Sequence, residues 1–256
     1  MTCLVLLLAG AALAGDPQDL RESIENGAVI NWTSMRVEVT SSATPSGVDS
    51  SRKVVETSAR RPIGDKMRRA VGTVLVQGEQ TVQELRTDPE IGQKIARRET
   101  HWAVTESRYF TSGRIELHGE LKIGEVLKPW LLDQASTAAP VDVPQGRHTG
   151  VVVLARGLNV QRAFAPRILA SDGETVLHDG LVWKDSATNA IPVIYVPDPA
   201  HPAAAFRAGK VPLIVSAMEV RGADVVLTRE SSIEYRTGLK GSRAVGQGTV
   251  VIVVDP

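Results

Sequence analysis

Five histidines are the residues best suited to acid–base or metal chemistry: His101, His118, His148, His178 and His201. None lies two or four positions from another, so no pair has the local spacing of a metal site. His178 precedes Asp179, and His201 follows Asp198 by three residues. Acid–histidine neighbours of this kind suit a general base, although chance produces many of them. His118 falls on the outward side of an alternating segment and reads as solvated. The sequence carries no Gly-x-Ser-x-Gly elbow, Walker loop, Gly-x-Gly-x-x-Gly turn or His-Glu-x-x-His pair. Gly238-Leu239-Lys240-Gly241-Ser242 lacks the spacing and ending of a phosphate loop and reads as a turn before the last strand.

Charge is more informative than these motifs. The segment 50–74 holds Arg52, Lys53, Arg60, Arg61, Lys66, Arg68 and Arg69 against Glu56 and Asp65. The whole chain balances 29 basic against 29 acidic residues, so no global field recruits nucleic acid or an anionic membrane. Arg61, Arg68 and Arg69 are seven or eight positions apart, which places them near one face of a helix. They are the candidate partner-binding residues, a docking surface for an acidic envelope protein or lipid head group. The alternative is a solvated face paired with carboxylates elsewhere. No cofactor or metal is expected from these residues.

The N-terminus bears on where such a surface would act. Met1 to Ala14 is uncharged and ends in Ala12-Leu13-Ala14, the pattern of a secretory signal peptide cleaved after residue 14. The run is shorter than the roughly 20 apolar residues that span a bilayer. Export excludes most ATP-, NAD- and nucleic-acid-dependent activities. Cys3 is the sole cysteine; it precedes the apolar run, so it is no lipobox, and it leaves with the leader. The mature chain then has neither disulfide nor thiolate. With 43% hydrophobic and 23% charged residues, its stability must come from a packed core.

The elements that would position the basic face follow from periodicity. Residues 16–27 read as a short helix or loose lead-in. Residues 28–40 alternate, with Met35, Val37 and Val39 inward, and predict one half-buried strand. Residues 41–50 form a loop, and Asp49 or Ser50 can cap the next helix. In that helix Val55, Ala59, Ile63, Met67, Val71 and Val74 make one apolar stripe, and Pro62 predicts a kink. A short strand spans 80–85. Asp88-Pro89-Glu90 starts a second helix. Strands at 101–110 and 114–126 are joined by a turn at Gly113.

Residues 133–147 are a linker by composition. From His148 onward, apolar runs at 151–154, 192–196, 212–215, 225–227 and 250–254 alternate with glycine turns, and 199–208 is the best helix. The expected fold is α+β: an N-terminal antiparallel sheet packed on one long helix, then a β-rich sandwich or barrel-like domain. The expected division is leader 1–14, α+β domain 28–132, linker 133–147 and β-rich domain 148–256. Trp32, Trp102, Trp130 and Trp183 read as core or linker anchors, with Trp130 at the boundary.

Several of these residues also carry a resemblance. The first half is similar to the bacterial LPP-twenty lipoprotein family and to the N-terminal domain of the flagellar assembly protein T. The matching residues are Ile30-Asn31-Trp32, the helix with Ala59-Arg60-Arg61, Asp65, Arg68 and Gly72, then Thr81-Val82, Asp88-Pro89-Glu90-Ile91, Tyr109 and Gly113-Arg114-Ile115-Glu116. The second half resembles the domain that often follows, through Thr149 to Val153, Ala155-Arg156-Gly157-Leu158, Ala165 to Leu169 and a closing strand ending at Asp255. Pro62, Leu154 and the missing lipobox depart from the pattern.

The resemblance implies a non-enzymatic, exported envelope protein. Such a protein serves as a structural, assembly or protein-binding module, periplasmic or peripherally associated with the outer membrane, with the flagellar motor as one setting. It implies envelope proteins as partners, leaves oligomerisation open, and carries over no catalytic residue. Two alternatives stand beside it: a periplasmic glycan- or lipid-binding module, which needs an apolar cavity in the second domain, and an exported hydrolase, which needs convergent perturbed groups in a cleft.

Overall fold

The computed structural model describes residues 19–46, 51–134, 147–173, 175–177, 191–239 and 249–256. The leader, the 135–146 part of the linker, Asp49, Ser50, His178, Asp179 and Trp183 lie outside the described residues. The fold is α+β, with an antiparallel N-terminal sheet carrying a long helix and a curled, half-barrel C-terminal sheet.

The first half contains β1 (Arg21–Ser23), β2 (Ala28–Asn31), β3 (Arg36–Ala43), α1 (Arg52–Thr73), β4 (Leu75–Gln77), β5 (Gln80–Thr81), α2 (Val82–Leu85), α3 (Pro89–Arg98), β6 (Ala103–Tyr109), β7 (Ile115–Lys122) and α4 (Ile123–Gln134). Its sheet runs β1-β2-β3-β7-β6, antiparallel throughout. Four expectations are corrected here. The lead-in contributes β1 as an edge strand. Residues 28–40 are two strands, because the Asn31 side chain accepts from Thr33 N and Ser34 N at 3.1 and 2.9 Å and turns the chain. The segment after Gln80 becomes α2, since Thr81 and Glu84 form a reciprocal capping box. The second hairpin strand stops at Lys122, where α4 begins.

The stripe predicted for α1 is buried: Val55, Ala59, Ile63, Met67 and Val71 are all within the core. Ser51 takes the capping position without a side-chain cap bond. The helix continues through Pro62 as one segment. Pro62 and Ser58 are both exposed, so the Ser58 carbonyl that loses its N–H partner faces water. A Cβ on Gly119 would stand 2.8 Å from Ile63 Cγ2 and 3.0 Å from Met67 Cε. Glycine there lets α1 lie directly on β7.

The second half contains β8 (Gly150–Leu154), β9 (Ile168–Leu169), β10 (Thr175–Leu177), β11 (Val193–Val196), α5 (Pro202–Ala208), β12 (Pro212–Arg221), β13 (Asp224–Leu227), α6 (Arg229–Leu239) and β14 (Val250–Val253). The sheet order is β10-β9-β13-β12-β8-β14-β11, and β12, β8, β14 and β11 are mutually parallel. β8, β11 and β14 are apolar runs, as buried parallel strands require. The start of the turn expected at Gly238 is the end of α6; Lys240 to Ser242 lie outside the described residues.

One hydrophobic core runs through both halves. Thr33 Oγ1 donates to Tyr195 O at 2.7 Å, and Tyr195 N donates to Trp32 O at 3.2 Å. Phe164 N and Ala165 N donate to Leu75 O and Val76 O, each at 2.8 Å. Trp32 meets Tyr195 edge-on at 5.8 Å, and Trp130 meets Phe164 at 6.4 Å. Both tryptophans anchor the junction between the halves.

Candidate functional site

The buried stripe of α1 fixes which residues face outward. Arg61, Arg68 and Arg69 lie on the opposite side and are all exposed. Lys53 and Arg60 are exposed beside them. The structure separates the three candidates by their surroundings. Arg61 has no hydrogen bond or ion pair among the described residues. Arg69 Nε reaches the Asp65 carbonyl at 3.4 Å. Arg68 Nε lies 3.8 Å from Glu99, whose side chain is only 3% exposed. Glu99 also accepts from Arg86 Nε at 3.0 Å and from Arg86 Nη2.

Arg68 therefore belongs partly to a buried ion-pair cluster. The other six cations of α1 form no ion pair with a carboxylate among the described residues. Two of them stack instead: the Arg52 guanidinium sits 3.8 Å from the Tyr109 ring centre, and that of Arg60 sits 4.9 Å from Trp102.

The opposite face of the same sheet forms a groove of about 270 Å³, lined by Arg21, Glu38, Thr40, Glu106, Arg108, Glu116 and His118. Charges on this face neutralise one another. Arg21 pairs with Glu38 and Arg36 with Glu120 at 2.6 Å, both across strands, while Arg108 meets Glu106 on its own strand at 2.7 Å and Glu116 on β7 at 3.7 Å. His118 differs from its solvated reading. Its side chain is 16% exposed, its Nδ1 is 3.1 Å from Thr40 Oγ1, and its Nε2 is 4.0 Å from Glu120.

The remaining histidines are placed apart. His101 lies in a hollow of about 730 Å³ between α3 and α4, beside Arg97, Arg98 and Leu132. His148 has its Nδ1 buried without a hydrogen-bond partner among the described residues. The His201 ring makes no hydrogen bond or ion pair with the Asp198 carboxylate among the described residues. Its Nδ1 accepts from Ala203 N at 3.1 Å, capping α5, and its Nε2 stands 3.5 Å from Asp19. Asp198 turns instead to Ala200 N at 2.8 Å and Arg156 at 2.9 Å. These two contacts, the backbone N–H first, hold its carboxyl below the usual range. Asp198 and His201 thus build a turn and a helix cap, and no metal-type cluster of three histidine, cysteine or acidic side chains occurs among the described residues.

Comparison with known proteins bears on the second half. Residues 150–256 match the family model for the second domain of Treponema pallidum Tp0624. That span starts at the first residue of β8 and takes in the whole C-terminal sheet. No curated protein matches the chain. Among the described residues, no helix is long and apolar enough to cross a membrane.

Sequence reasoning brought out the basic face, because helical periodicity alone sets which residues share a side. It missed the Arg68–Glu99–Arg86 cluster. Glu99 is 31 positions from Arg68, and its only local signal is a carboxylate placed at the end of a helix rather than its start.

Proposed function

We propose that this chain is an exported, non-catalytic component of the bacterial cell envelope that docks an acidic partner protein through the outward face of α1. One observation carries the reading: of the seven cations on α1, only Arg68 forms an ion pair with a carboxylate among the described residues. A face this basic in a chain of zero net charge is electrostatically complementary to an acidic surface. The signal-type leader and the resemblance to envelope modules support the cellular setting. The continuous core supports a rigid body that presents α1, as an assembly or structural module needs.

Docking is tested by reversing Arg61 and Arg69 together in the full chain. Arg68 is left alone, because a glutamate there would face the buried Glu99 carboxylate and confuse folding with binding. The variant R61E/R69E should lose about 1–3 kcal/mol of partner affinity, the sum of lost attraction and new repulsion. Its melting temperature should stay within roughly 2 °C of the wild type, as expected for exposed substitutions. The readout is crosslinking in intact cells, followed by binding of the identified partner to purified protein. Unchanged capture by R61E/R69E would remove the docking face, and an intact Met1 on protein recovered from the cytosol would remove export.

A further inference from the structure

Among the described residues, the N-terminal sheet ends on β6, which pairs only with β7. Phe110 N donates to Arg114 O at 3.0 Å. By the alternation of an antiparallel ladder, Arg108 and Glu106 then turn their backbone groups toward β7, while Ser107 and Tyr109 turn theirs outward. These outward N–H and C=O groups have no partner among the described residues. Among the described residues, the other edges of the two large sheets are shorter or covered, the three-residue β10 among them. β1 has three residues, and the rim of β11 is tied to the first half through Trp32 O and Thr33 Oγ1.

The edge is lined by the cations already described. Arg52 lies over Tyr109 at one end of β6, and Arg60 lies over Trp102 at the other. Neither has a carboxylate partner among the described residues. Tyr109 and Phe110 remain 48% and 38% exposed, so an aromatic, basic margin borders an open backbone ladder. A second copy is a poor occupant, since two such edges would bring their arginines together.

We propose that β6 is a strand-addition edge whose occupant is an extended acidic segment of the partner protein. This rests on the docking reading above and specifies how the partner is held. Ser107 and Tyr109 supply the backbone bonds, and alternate carboxylates of the added strand meet Arg52 and Arg60.

The test uses the full chain and a fluorescent dodecapeptide of alternating glutamate and threonine, read by anisotropy. The controls are its lysine–threonine counterpart and a version N-methylated at alternate residues. Ser107→Pro removes only an outward N–H, which edge strands tolerate. The acidic peptide should bind and the lysine peptide should not. N-methylation and Ser107→Pro should each weaken binding at least about tenfold, the loss expected from blocking edge hydrogen bonds. Equal binding by the methylated peptide, which needs no protein variant, overturns strand addition even if Ser107→Pro misfolds. If binding is then lost only on charge reversal, the basic docking face survives without the edge. Absence of acidic-peptide binding to the wild type also overturns the edge, and docking is judged separately by capture of the cellular partner with R61E/R69E.

Discussion

Tyr195→Phe should destabilise the chain by about 3 kcal/mol, because one hydroxyl satisfies two buried backbone groups. Tyr195 Oη donates to Ala163 O at 2.9 Å and accepts from Ala163 N at 3.0 Å. Both residues are fully buried, so neither group finds water when the hydroxyl is removed. The phenylalanine ring keeps the edge-on contact with Trp32, which confines the loss to the polar pair. In a chain of this size the melting temperature should fall by about 6–12 °C. A loss below about 1 kcal/mol in urea unfolding would show that the Ala163 loop relaxes and re-pairs elsewhere.

The same burial gives alkaline stability a definite sign. Desolvation raises the phenols of Tyr195 and Tyr235 well above their ordinary value of 10. Unfolded phenols ionise near 10 while the folded ones keep their protons. Stability from these groups is therefore complete below pH 10 and is lost as pH rises above it. The wild type should unfold cooperatively in base, with the phenolate absorbance of these two buried tyrosines appearing together with loss of helix signal. In Tyr195→Phe the slope of stability against pH above 10 should be shallower by up to about one proton.

Particular residues show why part of this architecture was legible and part was not. Ile115, Leu117 and Leu121 alternate on β7, and Val55 to Val71 recur at helical spacing, so the main layer of the first half could be read directly. Asp88 accepts from Glu90 N and Ile91 N at 2.9 and 2.8 Å, the capping geometry its position before Pro89 implied. Ile123 misled, because it continues the β7 alternation while also opening the helical set Ile123, Val126, Leu127, Trp130 and Leu131. Pro129 inside that set hid the helix. α6 was missed because Thr228 caps it through Ser231 N at 3.2 Å, a weaker signal than an aspartate–proline start. The parallel pairing of β8 with β12 and β14 joins strands far apart in sequence, and periodicity within a strand does not identify its neighbour. The candidate site follows the same division: the face shared by Arg61, Arg68 and Arg69 is local information, whereas the carboxylate that claims Arg68 is not.

Glu99→Ala should be the most damaging single change in the first half, at about 3–5 kcal/mol. It removes the counter-charge of a largely buried arginine without removing the arginine. Arg86 is 17% exposed at its side chain. It also donates to Arg68 O at 2.7 Å and to Gln83 Oε1 at 2.6 Å, so it cannot swing out to water without breaking its hold on α1. Glu99→Gln keeps an acceptor and should cost less, about 1–2 kcal/mol. Removing both partners in Glu99→Ala/Arg86→Ala should recover part of the loss, giving a coupling energy above about 1 kcal/mol in a double-mutant cycle. Additive losses would mean that the two side chains act independently. Arg68→Glu should resemble Glu99→Ala in sign though not in size, since it sets a second carboxylate beside Glu99 on an exposed stem. Chemical unfolding of R61E/R69E, Arg68→Glu and Glu99→Ala should thus rank in that order of increasing loss. A ranking in which R61E/R69E is as unstable as Glu99→Ala would mean that the outward face of α1 is held by contacts of its own, and the freedom of those cations to meet a partner would fail with it.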